Sequence, residues 1–388
     1  MSTKKFRTRT ETIARKNGNI PDVWEIALDL GYSAVKLFSP NKVACFPSYA
    51  KRVNTDLQFA GGIPKESILY RNLDTDEMWV IGAIAQNLIS TGDTSDSESS
   101  LYGRERYNNP MFYVIMEAGL GIAMHENAYG SPGNSKIVVQ TGLPERYMAD
   151  EPYLKDVIAG PHNFALKIGS GDWIVFRFTI SKDDVYVMSQ PKGTLFSVCI
   201  GKDGKFHPDA DKYLSSSVLI FDPGFGTFDI FPIMSGVVKE GETFTDLGMK
   251  RIFQETSKLI QENFNVDVPV PAMQKPLETG IVRYVDPKEF RSDEYDFTSL
   301  LVQANEKICK EAISRMAASF KLIDYNYLIV TGGTGAAWFD IIKEKFKNFS
   351  TLKILQGNQN DDLPFIYSNV RGYYLYRFNI LGKELRKK

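Results

Sequence analysis

Short apolar runs that each end in a glycine-containing turn are the main pattern of this chain. Residues 24–28 and 217–221 each precede an Asp-x-Gly turn and a second apolar segment, and residues 327–330 precede Thr-Gly-Gly-Thr-Gly. Runs of this length bounded by turn residues predict buried strands. The pattern therefore predicts two strand–turn–strand hairpins that lie far apart in the sequence, and one strand that leads into a glycine turn.

The remaining segments alternate between helical and strand spacing, which predicts an α/β fold built from two halves. Helical spacing is found at 109–125, 245–263, 297–320, 338–346 and 364–376, and a helix is expected to begin near 190–200. Further strands are predicted at 33–39, 136–141, 163–167, 172–181 and 184–188. The stretch 91–100 is rich in Ser, Asp, Gly and Thr and predicts a loop.

Composition and charge exclude several classes of function. The chain has 388 residues, enough for two domains with separate cores, and a formal net charge of −1, so no overall field favours nucleic acid or membrane. Its three cysteines and three histidines are scattered without disulfide or zinc spacing. No apolar segment has the character of a signal peptide or a membrane span. We expect a cytoplasmic protein that does not bind membranes directly.

The first 21 residues are basic and polar, and they predict a mobile extension. Their cationic side chains are Lys4, Lys5, Arg7, Arg9, Arg15 and Lys16. A solvated tail and a local contact with DNA both fit this composition.

The two Asp-x-Gly turns have the chemistry of a phosphate site. Gly31, Gly224 and Gly226 let the backbone approach a ligand closely, and backbone N–H groups in such turns bind phosphate oxygens. Asp29 and Asp222 offer carboxylates of the kind that hold Mg²⁺ beside phosphate. The alternative for each aspartate is a structural one, in which the carboxylate caps its own turn.

The three turns resemble those of the actin-like ATPase superfamily in type and in order. Residues 29–36, called here the first hairpin, have the spacing D-x-G-x(4)-K, and residues 222–229, the second hairpin, have D-x-G-x-x-T-x-D. Residues 331–337, the glycine turn, resemble the adenosine-binding turn of that superfamily. Phe225 is a departure, because relatives often carry glycine at this position.

Four shorter segments resemble the plasmid-segregation actins of the ParM/StbA type. They are Phe-Pro-Ser at 46–48, Val-Val-Gln-Thr-Gly-Leu-Pro at 138–144, Val-Met-Ser-Gln at 187–190 and Tyr-Ser-Asn-Val-Arg-Gly-Tyr at 367–373. The resemblance covers roughly residues 23–380.

The resemblance implies an actin-like two-domain fold, with two RNase H-like halves around a nucleotide cleft and a variable subdomain in each half. Domain I is then expected at 22–215, with an insert at about 40–100, and is completed by 356–388. Domain II is expected at 216–355, with an insert at about 250–298.

The resemblance also assigns roles to individual residues. Asp29 and Asp222 would hold Mg²⁺, largely through its water shell, and would count with Gln190 as catalytic. Gln190 would position the attacking water, as a Gln does in actin, where some segregation actins carry Glu. The expected nucleotide-binding residues are Gly31, Tyr32, Lys36, Gly224, Phe225, Gly226, Thr227, Lys250, Gly332, Gly333, Thr334 and Gly335.

The residues themselves leave several of these roles open. Lys36 also fits a strand lysine that faces solvent, and Gln190 fits a polar residue at the start of a helix. Thr227 fits a phosphate ligand and a hairpin cap equally well, and Lys250 fits a base contact and a solvated helix face. The sequence disfavours a Rossmann fold and contains no P-loop motif.

The implied function is a nucleotide-dependent, filament-forming ATPase or GTPase that segregates plasmid DNA. Its implied cofactor is Mg²⁺, its substrate ATP or GTP, and its partners are further copies of itself and a small DNA-binding adaptor on a centromere-like site. A metabolic kinase of the same fold and a non-polymerising assembly ATPase are the alternatives. The sequence contains no convincing base for a kinase acceptor hydroxyl.

Overall fold

The computed structural model describes residues 2–54, 59, 62–88, 104–286 and 288–385. The predicted loop at 91–100 and part of the predicted insert at 40–100 lie outside the described residues. Two compact units are present: the first comprises the described residues of 8–88, 95–211 and 358–388, and the second those of 2–7 and 212–357. Within the described ranges, every helix is too short or too polar to serve as a membrane span.

Strands and helices follow one another along both units, so the α/β class is confirmed. The strands are β1 (Glu11–Ala14), β2 (Val23–Leu30), β3 (Ala34–Ser39), β4 (Lys42–Pro47), β5 (Ala50–Val53), β6 (Ile68–Asn72), β7 (Met78–Ile81), β8 (Lys136–Leu143), β9 (Gly160–Ile168), β10 (Ile174–Ile180), β11 (Val185–Ser189), β12 (Ser217–Pro223), β13 (Phe228–Met234), β14 (Val237–Val238), β15 (Glu242–Phe244), β16 (Ile281–Asp286), β17 (Arg291–Asp296), β18 (Tyr327–Val330) and β19 (Lys353–Gln356). The α-helices are α1 (Ala83–Asn87), α2 (Pro110–Met124), α3 (Glu151–Ile158), α4 (Gln190–Cys199), α5 (Ala210–Ser215), α6 (Met249–Phe264), α7 (Thr298–Ser319), α8 (Gly333–Lys345) and α9 (Ser368–Leu385).

The first unit contains two sheets. One has the strand order β1-β4-β3-β2-β8-β11, with β2, β8 and β11 parallel, and the other has the order β10-β9-β6-β7-β5 with antiparallel pairs throughout. Strand β2 is buried from Trp24 to Leu30, as expected for a strand covered on both faces. The carboxyl ends of β2, β8 and β11 therefore meet at one edge of this sheet.

The main sheet of the second unit repeats that arrangement. Its strand order is β14-β13-β12-β18-β19, with β15 paired to β13, and β12, β18 and β19 are parallel. An antiparallel hairpin followed by two parallel strands thus gives β13-β12-β18-β19 in this unit and β3-β2-β8-β11 in the first. The two Asp-x-Gly hairpins occupy equivalent places in the two sheets.

Helix α2 joins the two sheets of the first unit. Its N-terminus is capped by Asn109, whose side chain accepts from the Met111 amide at 2.9 Å, and Pro110 is its first residue. A Cβ on Gly119 would lie 2.9 Å from Leu28 of β2, and one on Gly121 would lie 2.6 Å from the Leu166 side chain of β9. The two glycines therefore allow this buried helix to pack closely on both sheets.

The N-terminal residues differ from the mobile extension that the sequence predicts. Residues Thr3–Phe6 form a 3₁₀ turn of the second unit, where the Thr3 hydroxyl donates to the Leu277 carbonyl at 2.8 Å and Phe6 is buried. Glu11–Ala14 forms β1, which extends the first unit's sheet by pairing with β4. The alternating residue pattern at 8–14 favours a strand, but the high charge of this segment makes the pattern difficult to recognise in the sequence.

Several predicted helices are confirmed with shifted ends. The helix predicted at 338–346 begins earlier, at Gly333, because Gly332 serves as its N-cap with φ +76°. The helix predicted at 245–263 begins at Met249, after Gly248, and the one predicted at 364–376 runs from Ser368 to Leu385. Glycine at a helix start is a weak sequence signal, since Ser, Thr, Asp and Asn dominate N-caps.

Candidate functional site

The first hairpin places a carboxylate and an ammonium side by side at the end of β2. Asp29 is directly opposite Lys36 in the β2–β3 ladder, and the Lys36 Nζ lies 3.2 Å from the Asp29 Oδ2. Asp29 is buried and Lys36 is half-buried. The lysine is therefore not the solvent-facing strand residue that the sequence left open, and it neutralises the aspartate within this hairpin.

The turn of the first hairpin is fixed from two directions. The Ser48 hydroxyl donates to the Gly31 carbonyl at 2.6 Å, and Arg106 donates to the Leu30 carbonyl at 3.1 Å. The Arg106 guanidinium also lies 5.2 Å from the centre of the Tyr32 ring. A Cβ on Gly31 would fall 2.9 Å from the Ala34 carbonyl oxygen, a backbone atom, so a larger residue would force the turn to shift. These residues line a small pocket beside the turn.

The second hairpin has the same geometry but a different charge. Asp222 is directly opposite Asp229 in the β12–β13 ladder, at the place that corresponds to Asp29 and Lys36. The Asp229 carboxylate is buried and accepts hydrogen bonds from the Thr227 hydroxyl at 2.7 Å and the Thr243 hydroxyl at 2.6 Å. This hairpin therefore carries two carboxylates where the first carries one carboxylate and one ammonium.

The N-terminus of α6 holds the loop of the second hairpin. The Met249 amide donates to the Gly224 carbonyl at 3.1 Å, and the Lys250 amide donates to the Phe225 carbonyl at 2.9 Å. The Phe225 ring stands edge-on to Phe253 of α6, with 6.1 Å between ring centres. The side chain that departs from the superfamily pattern is thus held by a hydrophobic contact. The Lys250 side chain is exposed on the helix surface.

The glycine turn packs directly on the second hairpin. Gly332 has φ +76°, and a Cβ there would overlap the Asp222 carboxylate and the Pro223 carbonyl. The Thr334 hydroxyl donates to the Gly224 carbonyl at 2.8 Å. Gly333 is exposed at the start of α8, and Gly335 is buried. The structure thus brings together, within the second unit, most of the residues predicted there: Asp222, Gly224, Phe225, Gly226, Thr227, Gly332, Thr334 and the backbone of Lys250.

Gln190 is the first residue of α4 and directly follows β11. The carboxyl ends of β2, β8 and β11 lie level with one another. Leu28 of β2 pairs with Thr141 of β8, and Leu143 of β8 pairs with Ser189 of β11. Gln190 and Asp29 therefore lie at the same edge of the first unit's sheet, two strand spacings or roughly 10 Å apart across the ladder. The Gln190 side chain is half-buried.

The position of α4 is set by the C-terminal helix. Gly372 of α9 lies against Gly193 of α4 so closely that a Cβ on Gly372 would overlap the Gly193 carbonyl oxygen. The Thr194 hydroxyl donates to the Asn369 side chain across the same crossing. The start of α4, and with it Gln190, is therefore fixed by backbone-to-backbone packing against α9.

Each hairpin, taken by itself, presents oxygen donors of the kind that fit a hydrated Mg²⁺ ion. Carboxylates and hydroxyls are hard ligands, and Mg²⁺ usually takes one or two carboxylates together with waters and phosphate oxygens. Asp29 and Asp222 each end a strand with the carboxylate beside a glycine turn. Among the described residues, no cluster of three or more Asp, Glu, His or Cys could by itself enclose a metal ion.

Sequence reasoning missed three residues that shape these turns. Ser48 belongs to the Phe-Pro-Ser segment and Asp229 to the second hairpin, but neither sequence pattern indicates the contacts that these side chains make. Arg106 had no signal, because it reaches the Leu30 carbonyl from 76 residues away in the sequence. Such contacts depend on tertiary packing.

Comparison with known proteins identifies the N-terminal part of the chain directly. Residues 27–193 match the family of actin-like proteins, N-terminal domain. This segment includes the first hairpin, α2 and Gln190. No curated protein matches the chain by sequence.

Solved structures match the chain over nearly its whole length. The pCBH ParM non-polymerisable quadruple mutant has a TM-score of 0.69 at 18% identity, with 93% of this chain and 99% of that chain covered. A ParM from a 15-stranded filament of Clostridium botulinum has a TM-score of 0.65 at 18% identity, with 91% and 98% covered. An archaeal actin homologue in complex with ADP has a TM-score of 0.62 at 14% identity, with 90% and 97% covered.

At these identities the structural matches establish the fold, and the family match establishes the N-terminal domain. Both agree with the resemblance that the two hairpins and the glycine turn carry in the sequence. Residues 27–193 thus match the N-terminal domain of the actin-like proteins, and the chain as a whole has the fold of the solved ParM structures.

Proposed function

We propose that the chain is a Mg²⁺-dependent nucleoside triphosphatase that forms filaments and segregates plasmid DNA. The same arrangement occurs in both sheets: an aspartate lies at the end of the strand that enters a glycine-containing hairpin. This repetition is the observation on which the proposal rests. A glycine turn with an unobstructed exposed residue, Gly333, packs on the second of these hairpins. Backbone amides in such turns bind phosphate, and a turn without Cβ atoms admits a nucleoside.

Each hairpin contributes different groups to the proposed reaction. Mg²⁺, when bound, would neutralise phosphate charge. Asp29 and Asp222 would hold its waters, and Lys36 would provide a further positive charge for the phosphates. Gln190 orients the attacking water; it accepts a hydrogen bond but is not a strong base, which suits phosphoryl transfer, where positioning and charge neutralisation dominate.

Filament formation and DNA segregation are proposed because solved structures with a similar fold include filaments. A ParM of the same fold is known in a 15-stranded filament, and an actin-like protein named Alp12 is also known as a filament. By analogy, the partners proposed here are further copies of this chain and a small DNA-binding adaptor on a centromere-like site. Fold similarity alone does not fix function, so this part of the proposal needs its own measurement.

Isothermal titration calorimetry tests the nucleotide site itself. We expect ATP or GTP to bind in the presence of Mg²⁺ and to bind more weakly in EDTA. Absence of heat and of competition with a fluorescent nucleotide, for both ATP and GTP, would reject the proposed function.

A further inference from the structure

Arg106 is a buried cation beside the turn of the first hairpin. The residue is 8% exposed, and its guanidinium donates to the Leu30 carbonyl at 3.1 Å. Leu30 directly follows Asp29 and ends β2, so this hydrogen bond attaches Arg106 to the point where the chain enters the turn. Arg106 also lines the small pocket beside the turn, together with Gly31 and Ser48.

Three aromatic rings surround the Arg106 guanidinium. Its Cζ lies 5.2 Å from the ring centre of Tyr32, 5.3 Å from that of Tyr107 and 4.9 Å from that of Phe112. Cation–π contacts of this kind stabilise a desolvated guanidinium, but a ring carries no net charge and does not cancel the charge of the arginine. Within the part of the chain that the structure describes, no carboxylate forms an ion pair with Arg106. Among those residues its positive charge is therefore buried without a negative partner.

The other cation of the first hairpin already has a partner. The Lys36 Nζ lies 3.2 Å from the Asp29 Oδ2, and the two side chains are only 15% and 5% exposed. Two opposite charges this close present little net field to a ligand. The described residues of the hairpin and of its pocket therefore carry one net positive charge, and it belongs to Arg106. Because this charge is buried, it acts through a medium of low dielectric and is screened little by salt.

We propose that Arg106 is a charge-recognition residue for the phosphate chain of the nucleotide, whose guanidinium provides the positive charge that attracts the phosphates to the turn of the first hairpin. This inference rests on the proposed function and adds to it a residue that lies outside all three turns. Backbone amides position phosphate oxygens but carry only partial charges, whereas a guanidinium carries a full one. A full charge beside the amides raises the affinity more, the more negative the ligand is.

A purely structural role makes different demands on the same position. An arginine that only packs against Tyr32 and Phe112 can be replaced by an apolar side chain of similar length, which avoids the cost of burying a charge. A role that depends only on the hydrogen bond to Leu30 requires the planar guanidinium and is not retained by lysine. A role through charge is lost in neutral variants and retained by lysine.

Four variants separate these roles. Arg106→Met and Arg106→Gln remove the charge, and Arg106→Gln keeps the test decisive if Arg106→Met does not fold. Arg106→Lys keeps the charge. Arg177→Met is the matched control, because Arg177 is an exposed arginine of β10 in the same unit. Calorimetry in Mg²⁺ measures the affinity of each variant for the mono-, di- and triphosphate of the nucleoside that the wild type binds, and thermal unfolding shows that each variant is folded.

The expected losses follow the charge of the ligand. For Arg106→Met and Arg106→Gln we expect the affinity for the triphosphate to fall about tenfold or more, and the affinity for the monophosphate to fall less, because the interaction grows with ligand charge. Arg106→Lys and Arg177→Met should stay within about threefold of the wild type for all three ligands.

The outcomes separate this inference from the proposed function. If the wild type binds nucleotide but both neutral variants stay within about twofold of it, Arg106 does not recognise the phosphates, while the nucleotide site stands. Equal losses for the monophosphate and the triphosphate, or a loss in Arg106→Lys as large as in Arg106→Met, would also overturn the inference, because either result depends on the shape of the side chain and not on its charge. If the wild type binds no nucleotide, the proposed function fails and this inference fails with it.

Discussion

Lys36 lies directly opposite Asp29 across the first hairpin, and the two side chains form an ion pair of 3.2 Å. The equivalent residues of the second hairpin, Asp222 and Asp229, are both acidic. Two hairpins with one backbone plan therefore differ in the residue that faces the first aspartate, which is a lysine in the first hairpin and a second aspartate in the second.

Asp222→Asn should weaken binding of Mg²⁺-nucleotide while leaving the fold intact, because Asp222 is half-buried at a strand end and not part of the core. A loss of about tenfold or more in affinity is expected when a charged ligand to the hydrated metal becomes neutral. Calorimetry with Mg²⁺-ATP and Mg²⁺-GTP measures it. Asp340→Asn, at an exposed position of α8, is the control. Unchanged affinity together with unchanged turnover would eliminate Asp222 as a metal residue.

Gln190→Ala should slow hydrolysis much more than it weakens nucleotide binding. The side chain is assigned to the attacking water, which matters in the transition state, and losing such a group costs on the order of 10- to 1000-fold in turnover. Single-turnover phosphate release and nucleotide affinity are measured on the same sample. Lys192→Ala changes an exposed residue of the same helix turn and should leave turnover unchanged. Wild-type turnover in Gln190→Ala would show that another residue holds the water.

Gly372→Ala should destabilise the first unit and slow hydrolysis. Alanine normally favours a helix over glycine, but here the new Cβ would overlap the Gly193 carbonyl, so α4 and α9 must move apart. Overpacking of this kind costs about 1–3 kcal/mol. Urea unfolding and phosphate release are the measurements, and Lys383→Ala, exposed on the same helix, is the control. If Gly372→Ala were more stable than the wild type, α4 and α9 would not be in close backbone contact at this crossing.

Asp361→Asn tests a buried ion cluster in the first unit. Arg371 donates to Asp361 at 2.9 Å, and Arg15 donates to both oxygens at 2.9 and 3.2 Å. Both Asp361 and Arg371 have side chains that are only 1% exposed. Neutralising the carboxylate leaves a buried guanidinium uncompensated, so the free energy of unfolding at pH 7 should fall by about 3–5 kcal/mol.

The pH dependence of this effect has a definite sign. Burial by itself would raise the pKa of Asp361, but the hydrogen bonds and charges of Arg15 and Arg371 outweigh it and hold the pKa below its ordinary value. The stabilisation is therefore present above the unfolded-state pKa of about 4 and is lost as the pH falls through the lower folded-state pKa. The gap in unfolding free energy between wild type and Asp361→Asn should shrink below about pH 4.

The neighbouring residue provides the control for this cluster. Asp362 has a side chain that is 92% exposed and forms a surface ion pair with Lys202 at 2.8 Å. Asp362→Asn should change stability by less than about 1 kcal/mol at any pH, as exposed pairs do. If Asp361→Asn and Asp362→Asn lowered the free energy of unfolding equally, the buried cluster around Asp361 would not provide the expected stabilisation.

The sequence was sufficient for those parts of the fold that local pattern controls. The strands around Asp29 and Asp222 are short apolar runs with turn residues at their ends, so their type and order were predictable. The long helix at Thr298–Ser319 was predicted within one residue at each end, because its apolar spacing extends over many turns.

Contacts between distant segments were not predictable in the same way. Arg15 and Asp361 are 346 residues apart, and nothing in either neighbourhood indicates the pair. The crossing of Gly193 and Gly372 likewise depends on how two helices pack, and a glycine within a helix has several explanations. The hydrogen bonds of Asp229 depend on the register of β13 with β12 and β15, which places its carboxylate beside Thr227 and Thr243.

The most direct test of the account is sedimentation of the purified chain in the ultracentrifuge, with Mg²⁺ and ATP, GTP, their slowly hydrolysed analogues, or no nucleotide. We expect the protein to pellet as filaments with at least one triphosphate and Mg²⁺, and to remain in the supernatant without nucleotide or in EDTA. If the protein stays in the supernatant at high concentration with every nucleotide, the filament-forming function is contradicted.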